Sequence, residues 1–258
     1  MNKKLIIIMG GMGPVASAQL NLSILKEHAG ANDQDYPSII HVSIPEWIPD
    51  RTSYVLGFVE KNPGIICADI VNKTLLGLAE SFGQILVVIP CFTFHSSVIL
   101  SSFYEAINTY NGKVVIVNMV DTTIDYMKSS LNSNDKLVIW STKGSHAAKV
   151  WSSSLEQLRN IEVVSDDHVV LGSHNIVYND KYGLKAHPFG NAETSKEINQ
   201  LFQQSVLAGA TKVLLGCTEY STFFSQGNVP NDFKEKLVDP FEILIHCLSK
   251  SGLILKRE

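Results

Sequence analysis

The chain has 258 residues, a formal net charge of −4 and 45% hydrophobic residues, enough apolar material for one large α/β domain or two lobes of about 130 residues each. The mild negative charge gives no electrostatic footprint for nucleic acid or an anionic membrane, so any bound anion must be held locally. The four cysteines, Cys67, Cys91, Cys217 and Cys247, form no C-x-x-C pair, which argues against a zinc site or a disulfide framework and favours a reducing, cytoplasmic setting.

The first predicted element is a strand at Leu5-Ile6-Ile7-Ile8-Met9, an apolar run without alternation, as in parallel strands buried on both faces. Gly10-Gly11-Met12-Gly13-Pro14 then turns the chain into a helix with Pro14 at its first position. Free backbone N–H groups at such a turn can seat a carboxylate or phosphate. The turn also satisfies G-x-G-x-x-A spacing through Gly11, Gly13 and Ala16, with Glu46 near the end of the next strand, so a dinucleotide-binding oxidoreductase is a competing class. Lys3 and Lys4 before the run and Ala16-Ser17-Ala18 after it superficially resemble a secretory signal. Against this, the run is only strand length and is interrupted by glycines and Pro14.

A second strand is predicted at residues 38–44. The loop beyond it is stiffened by Pro45 and Pro49, holding Arg51 where it can grip a carboxylate through two parallel hydrogen bonds; pairing with Asp50 or solvent is the alternative. Residues 65–82 have helical spacing, with Cys67 on the apolar side. Residues 85–90 form the third strand and deliver Cys91 at its carboxyl end, where ligands bind in open α/β sheets. Pro90, His95 and several hydroxyls interrupt this stretch, so it does not read as a membrane span. Thr93 is a candidate helix cap or ligand donor, and His95 a candidate partner of Cys91.

A fourth strand is expected at 114–117 and a helix at 122–131, followed by a polar turn at 132–135. Residues 137–140 restart the pattern, and 141–146 take the place of the first Gly-rich turn without the spacing of a phosphate-binding loop. A short strand at 161–165, a loop at 182–188 and an amphipathic helix at 195–207 lead to the strand 213–216, which delivers Cys217. A last strand at 237–239 precedes a helix carrying Cys247 at core spacing.

Three pairs of segments echo each other in the same order: 5–13 with 137–144, 87–94 with 213–220, and 120–124 with 238–242. Such repetition points to two similar lobes facing each other, with Cys91 and Cys217 meeting between them. A single cysteine at a strand end could be a nucleophile; two in equivalent positions suit inversion of a stereocentre. That reaction needs a base on one face of a carbon and an acid on the other, and a thiolate with a thiol supplies both. The competing structural role is two small residues filling strand ends.

Gly10-Gly11-Met12-Gly13-Pro14, Pro49-Asp50-Arg51-Thr52, Ile89-Pro90-Cys91, Tyr182-Gly183-Leu184-Lys185-Ala186, Leu215-Gly216-Cys217-Thr218-Glu219 and Asp239-Pro240 together resemble the cofactor-independent aspartate/glutamate racemase family. The resemblance implies an α/β fold of two pseudo-symmetric lobes, each a four-stranded parallel sheet flanked by helices, with the active site between them. It implies residues 1–112 plus 222–258 as the first lobe and 113–221 as the second. Cys91 and Cys217 would be the acid/base pair, Cys91 at the face of the D-enantiomer and Cys217 at that of the L-enantiomer. Thr93, Thr218 and the backbone of Gly11, Met12 and Gly13 would hold the α-carboxylate. Arg51 and Lys185 would hold a side-chain carboxylate, and Phe92 and Glu219 complete the substrate-facing set.

The implied protein is a cytoplasmic homodimer that acts on an amino acid, aspartate first and glutamate second, without pyridoxal phosphate or metal, nucleic acid or membrane. Two positions depart from the family pattern. Phe92 replaces the usual substrate-binding asparagine after the first cysteine, and His187 stands where glycine is common. A lost donor to a buried carboxylate costs affinity, so a less polar substrate and a non-catalytic amino-acid-binding protein are the alternatives.

Overall fold

A computed structural model describes residues 3–158 and 160–252, apart from the side chain of Ser153. Strands β1 (Lys4–Met9), β2 (Ser38–Val42), β3 (Gln84–Val88) and β4 (Val114–Val117) form one sheet in the order β2-β1-β3-β4. Strands β5 (Lys136–Ile139), β6 (Glu162–Val163), β7 (Lys212–Leu214) and β8 (Leu237–Val238) repeat that order as β6-β5-β7-β8. All pairings are parallel. The echo between the two halves of the sequence is therefore a repeat of topology.

Alternation along the strands explains why they read as continuous apolar runs, since successive side chains enter different cores. Ile6 and Ile8 of β1 and Leu86 and Val88 of β3 face a central core, which Leu137 of β5, Leu214 of β7 and Val238 of β8 enter from the other sheet. Leu5, Ile7, Met9, Ile85 and Val87 face a core private to the first lobe. Val138 and Val213 face one private to the second. The central core is closed by two packed helices, Met119–Ser130 after β4 and Pro240–Lys250 after β8.

Sheet membership differs from the expected division at 112/113 and 221/222. β4 pairs with β3 in the first sheet, and β8 pairs with β7 in the second. Residues 114–117 thus belong to the first sheet and 237–238 to the second, and the chain crosses between sheets once, after the helix Met119–Ser130.

Several element boundaries also shift. The helix expected at 65–82 runs Pro63–Leu75, because Gly77 adopts φ +80° and a separate short turn of helix follows at Ala79–Ser81. The one expected at 122–131 starts at Met119, where the Asn118 side chain accepts from the backbone of Val120 and Asp121. Arg51 is not on a loop: it opens the short helix Arg51–Val55, whose N-cap Asp50 accepts from Ser53 N at 2.7 Å. The helix Asp167–Tyr178 was not expected at all. No helix among the described residues is long and apolar enough to cross a membrane.

Candidate active site

β3 and β7 occupy equivalent places in their sheets, and each runs into a cysteine that begins a helical turn. Cys91 is the N-cap of Phe92–His95, and Cys217 is the N-cap of Thr218–Phe223. Both line one small cavity between the lobes, of about 20 Å³. That is room for about one water molecule, in a pocket that stays partly open to solvent.

The cation on the first lobe is Arg51. It donates to Met12 O at 3.0 Å and, more weakly, to Pro49 O at 3.5 Å, and its Nε is buried without a hydrogen-bond partner. Burial pulls the guanidinium pKa down, but the charge of the facing Cys91 and of Asp50 outweighs this and holds it above its ordinary value. Gly11 makes the approach possible: at φ +88° any side chain would be strained, and a Cβ would meet the backbone of Pro45 and Ile44 at 3.2 and 3.3 Å. Met12 is pinned from behind by Cys67, whose thiol lies 3.9 Å from its Sδ. Cys67 is fully buried, in keeping with the core role read from its spacing.

The cation on the second lobe is Lys185, which forms an ion pair with Glu219 Oε1. The other carboxylate oxygen, Oε2, accepts from Cys217 Sγ at 2.8 Å and from Thr218 Oγ1 at 3.3 Å. Burial raises the pKa of Glu219, yet the Lys185 charge and the Cys217 hydrogen bond leave it below the ordinary value. Lys185 moves the opposite way: burial lowers it, and the Glu219 charge more than compensates. The Cys217 thiol is pushed well above its usual range, by burial first and by the Glu219 charge second.

Hydroxyls from both lobes complete the lining. Thr93 Oγ1 is 2.8 Å from Ser145 Oγ, which is 3.3 Å from Thr142 Oγ1. Thr93 therefore bonds across the lobe interface and does not cap a helix. Phe92 turns its ring onto Trp151 of the other lobe, with centroids 4.9 Å apart. It serves the central core as well as the cavity wall. His95 does not pair with Cys91; its Nε2 lies 3.1 Å from Ile89 O, and burial lowers its pKa to about 4. His187 lies in the turn after Lys185, its amide bonded to Gly183 O, and does not line the cavity.

Of the residues singled out in the sequence, Met12, Arg51, Cys91, Phe92, Thr93, Lys185, Cys217, Thr218 and Glu219 line the cavity. Gly13 lies beside it: a Cβ there would meet Glu219 Oε1 at 2.9 Å and Lys185 Nζ at 3.2 Å. A pyrophosphate at this turn would meet the Glu219 carboxylate, which opposes the dinucleotide reading. Tyr178, Thr142 and Ser145 also line the cavity and were missed. Tyr178 ends the unexpected helix, and burial raises its pKa to about 12. Among the described residues, no group of three or more His, Cys, Asp or Glu side chains could hold a metal ion.

The fold has solved relatives across nearly its whole length. An aspartate racemase from Picrophilus torridus is 22% identical, with a TM-score of 0.70 over 99% of this chain and 96% of that one. A putative Asp/Glu racemase from Yersinia pestis is 16% identical, with a TM-score of 0.65 over 97% and 99%. A glutamate racemase from Francisella tularensis, solved with D-glutamate, is 15% identical, with a TM-score of 0.57 over 100% and 84%. At these identities the likeness speaks for the fold. The sequence itself matches the Asp/Glu/Hydantoin racemase family over residues 9–248, and the chain belongs to that family of isomerases.

Proposed function

We propose that the protein racemises an amino acid by two-sided proton transfer at Cα between Cys91 and Cys217, with aspartate the favoured substrate and glutamate second. The observation that carries the reading is the convergence of the two strand-end thiols on one cavity from opposite lobes. In one direction the Cys91 thiolate takes the Cα proton: the C–H bond breaks, an S–H bond forms, and the electron pair delocalises into the α-carboxylate. Cys217 then gives its thiol proton to the opposite face, forming the new C–H bond. The reverse reaction exchanges the roles.

The lining supports a dicarboxylic substrate. Thr93, Thr142, Ser145 and Thr218 offer hydroxyl donors to one carboxylate, while Arg51 and Lys185 offer cations to the other. The similarity to an aspartate racemase supports the same choice. A substrate needs more room than the cavity offers as it stands, and its carboxylates must compete with Met12 O for Arg51 and with Glu219 for Lys185. Exposed apolar side chains such as Trp47 and Phe58 support a homodimer, which light scattering after gel filtration would test. Four free thiols support a reducing, cytoplasmic setting.

The first experiment is proton NMR of the reduced protein in D2O with each enantiomer of aspartate, glutamate and a panel of less polar amino acids. The Cα proton signal of aspartate should disappear, and Cys91→Ser or Cys217→Ser should each prevent this. Binding of an amino acid without Cα exchange by any panel member would replace the proposal with the binding-protein reading.

A further inference from the structure

The two sheets repeat each other, but the surroundings of the two thiols do not. Cys91 faces the Arg51 cation, with the Cys67 thiol behind it and Tyr178, Lys185, Cys217 and Glu219 sharing its cavity. Cys217 touches a carboxylate: Glu219 Oε2 lies 2.8 Å from its sulfur, and Glu219 is itself fixed by Lys185 through the other oxygen and by Thr218 Oγ1. The remaining titratable neighbours of Cys217 are the Lys185 ammonium, whose charge favours the thiolate but is engaged by Glu219, and the phenols of Tyr178 and Tyr220. An ionised carboxylate can only accept a hydrogen bond. The contact with Cys217 therefore exists only while the sulfur carries its proton, and loss of that proton would set two negative charges against each other.

Building on the racemase reading, we propose that Glu219 is a positioning residue that keeps Cys217 protonated, so that the resting enzyme presents Cys217 as the acid and leaves Cys91 to take the first proton. The direction of the Cys217 shift, set by burial and then by the Glu219 charge, agrees with this geometry. Two enzyme forms follow, and they are unequal. The enantiomer whose Cα–H points at Cys91 meets the resting form directly. Its mirror image needs the form in which Cys91 holds the proton and Cys217 is a thiolate beside Glu219. Racemisation has an equilibrium constant of one, so kcat/KM is equal for both enantiomers, and the asymmetry appears as unequal kcat with a compensating difference in KM.

The test reads the thiols without substrate, so it is independent of whether the protein racemises anything. Wild type, Glu219→Gln and Glu219→Asp are treated with iodoacetamide between pH 6 and 9, and modification of each cysteine is followed by mass spectrometry. In the wild type Cys91 should react before Cys217, although Cys217 is the more exposed of the two, so access alone predicts the reverse order. Glu219→Gln should accelerate Cys217 by at least about tenfold at pH 8, the effect of one pKa unit on thiolate fraction, and should bring the kcat ratio of the two enantiomers closer to one. Glu219→Asp, which retains the charge, should keep Cys217 slow. Faster reaction of Cys217 than Cys91 in the wild type would overturn the proposal even if the variants fail to fold. So would equal Cys217 rates in wild type and Glu219→Gln, or equal acceleration by Gln and Asp. Loss of Cα exchange with this thiol order intact would count against the racemase reading and leave the role of Glu219 standing.

Discussion

Phe92 shows how one side chain can belong to a core and a cavity at once. Its ring is 2% exposed and packs on Trp151 across the lobe interface, so a polar group here would lose that packing. Phe92→Ala should cost roughly 3–5 kcal/mol of stability, as for other buried aromatics, and Phe92→Asn at least as much. Urea melts followed by tryptophan fluorescence would measure both, and unchanged stability in both would contradict a core role. Arg51 calls for the opposite kind of experiment. Arg51→Lys keeps the charge but loses the forked geometry that reaches Met12 O. It should raise KM for aspartate while leaving the melting temperature close to wild type; an unchanged KM would argue that Arg51 does not hold the substrate.

Among the elements, the helix Pro240–Lys250 links the site's lobe to pH. Its N-cap Asp239 accepts from Phe241 N at 2.8 Å and from Ser221 Oγ at 2.6 Å, and burial raises its pKa from 3.8 to about 6. Between those values the folded protein binds more protons than the unfolded chain, so this carboxyl stabilises the fold below pH 4 and the contribution is lost as pH rises through 6. Asp239 lines an open cavity and is only partly buried, which limits the effect to roughly 1–2 kcal/mol. Asn can still cap the helix. Asp239→Asn should therefore gain stability relative to wild type between pH 4.5 and 7.5, measured as the difference in melting temperature; a pH-independent difference would exclude the mechanism.

The short helix Arg51–Val55 depends on a glycine in the other lobe. A Cβ on Gly144 would lie 2.0 Å from Thr52 Oγ1 and 2.8 Å from Thr52 Cβ. Gly144→Ala should push this helix and Arg51 outward, raise KM more than it lowers kcat, and be partly rescued by Thr52→Ala. Kinetics of the double-mutant cycle would decide, and strict additivity would mean that the contact does not position Arg51.

The elements readable in the sequence were those with a strong local signal: the apolar runs of β1, β3, β5 and β7, the Gly-rich turn and the repeated cysteines. Tyr178 was lost because its helix was lost. The signal existed, with Asp166 as a cap, Val169 and Val170 one turn in and Ile176 and Val177 closing the stripe, but loop-like residues on either side obscured it. Thr142 and Ser145 offered no such signal, because their role arises from contact with Thr93 of the other lobe. The placement of β4 and β8 follows the repeat read in the sequence, each pairing with the strand that leads to its half's cysteine.

At the scale of the molecule, the central core belongs to neither half. Residues 1–132 alone would leave that core half built: Ile6, Ile8, Leu86 and Val88 would keep Leu20, Ile24 and Ile124 of their own half but lose Leu137, Leu214, Val238 and Leu244. Expressed separately, the two halves cut at the polar turn should lack cooperative melting and bind a hydrophobic dye, and mixing them should restore both properties. A half that melts cooperatively alone would show that its private core suffices.

The helix Pro240–Lys250, which helps to seal that core, is made well after β1 and β3. At about 5–20 residues per second, a ribosome needs roughly 6–25 s to synthesise the second half after the first has emerged. For that interval β1 and β3 hold one apolar face with only part of its cover, next to a turn and a thiol that will later work together. The nascent first sheet is thus a natural client for a chaperone, and the two thiols meet only after β5 and β7 of the second sheet have been made.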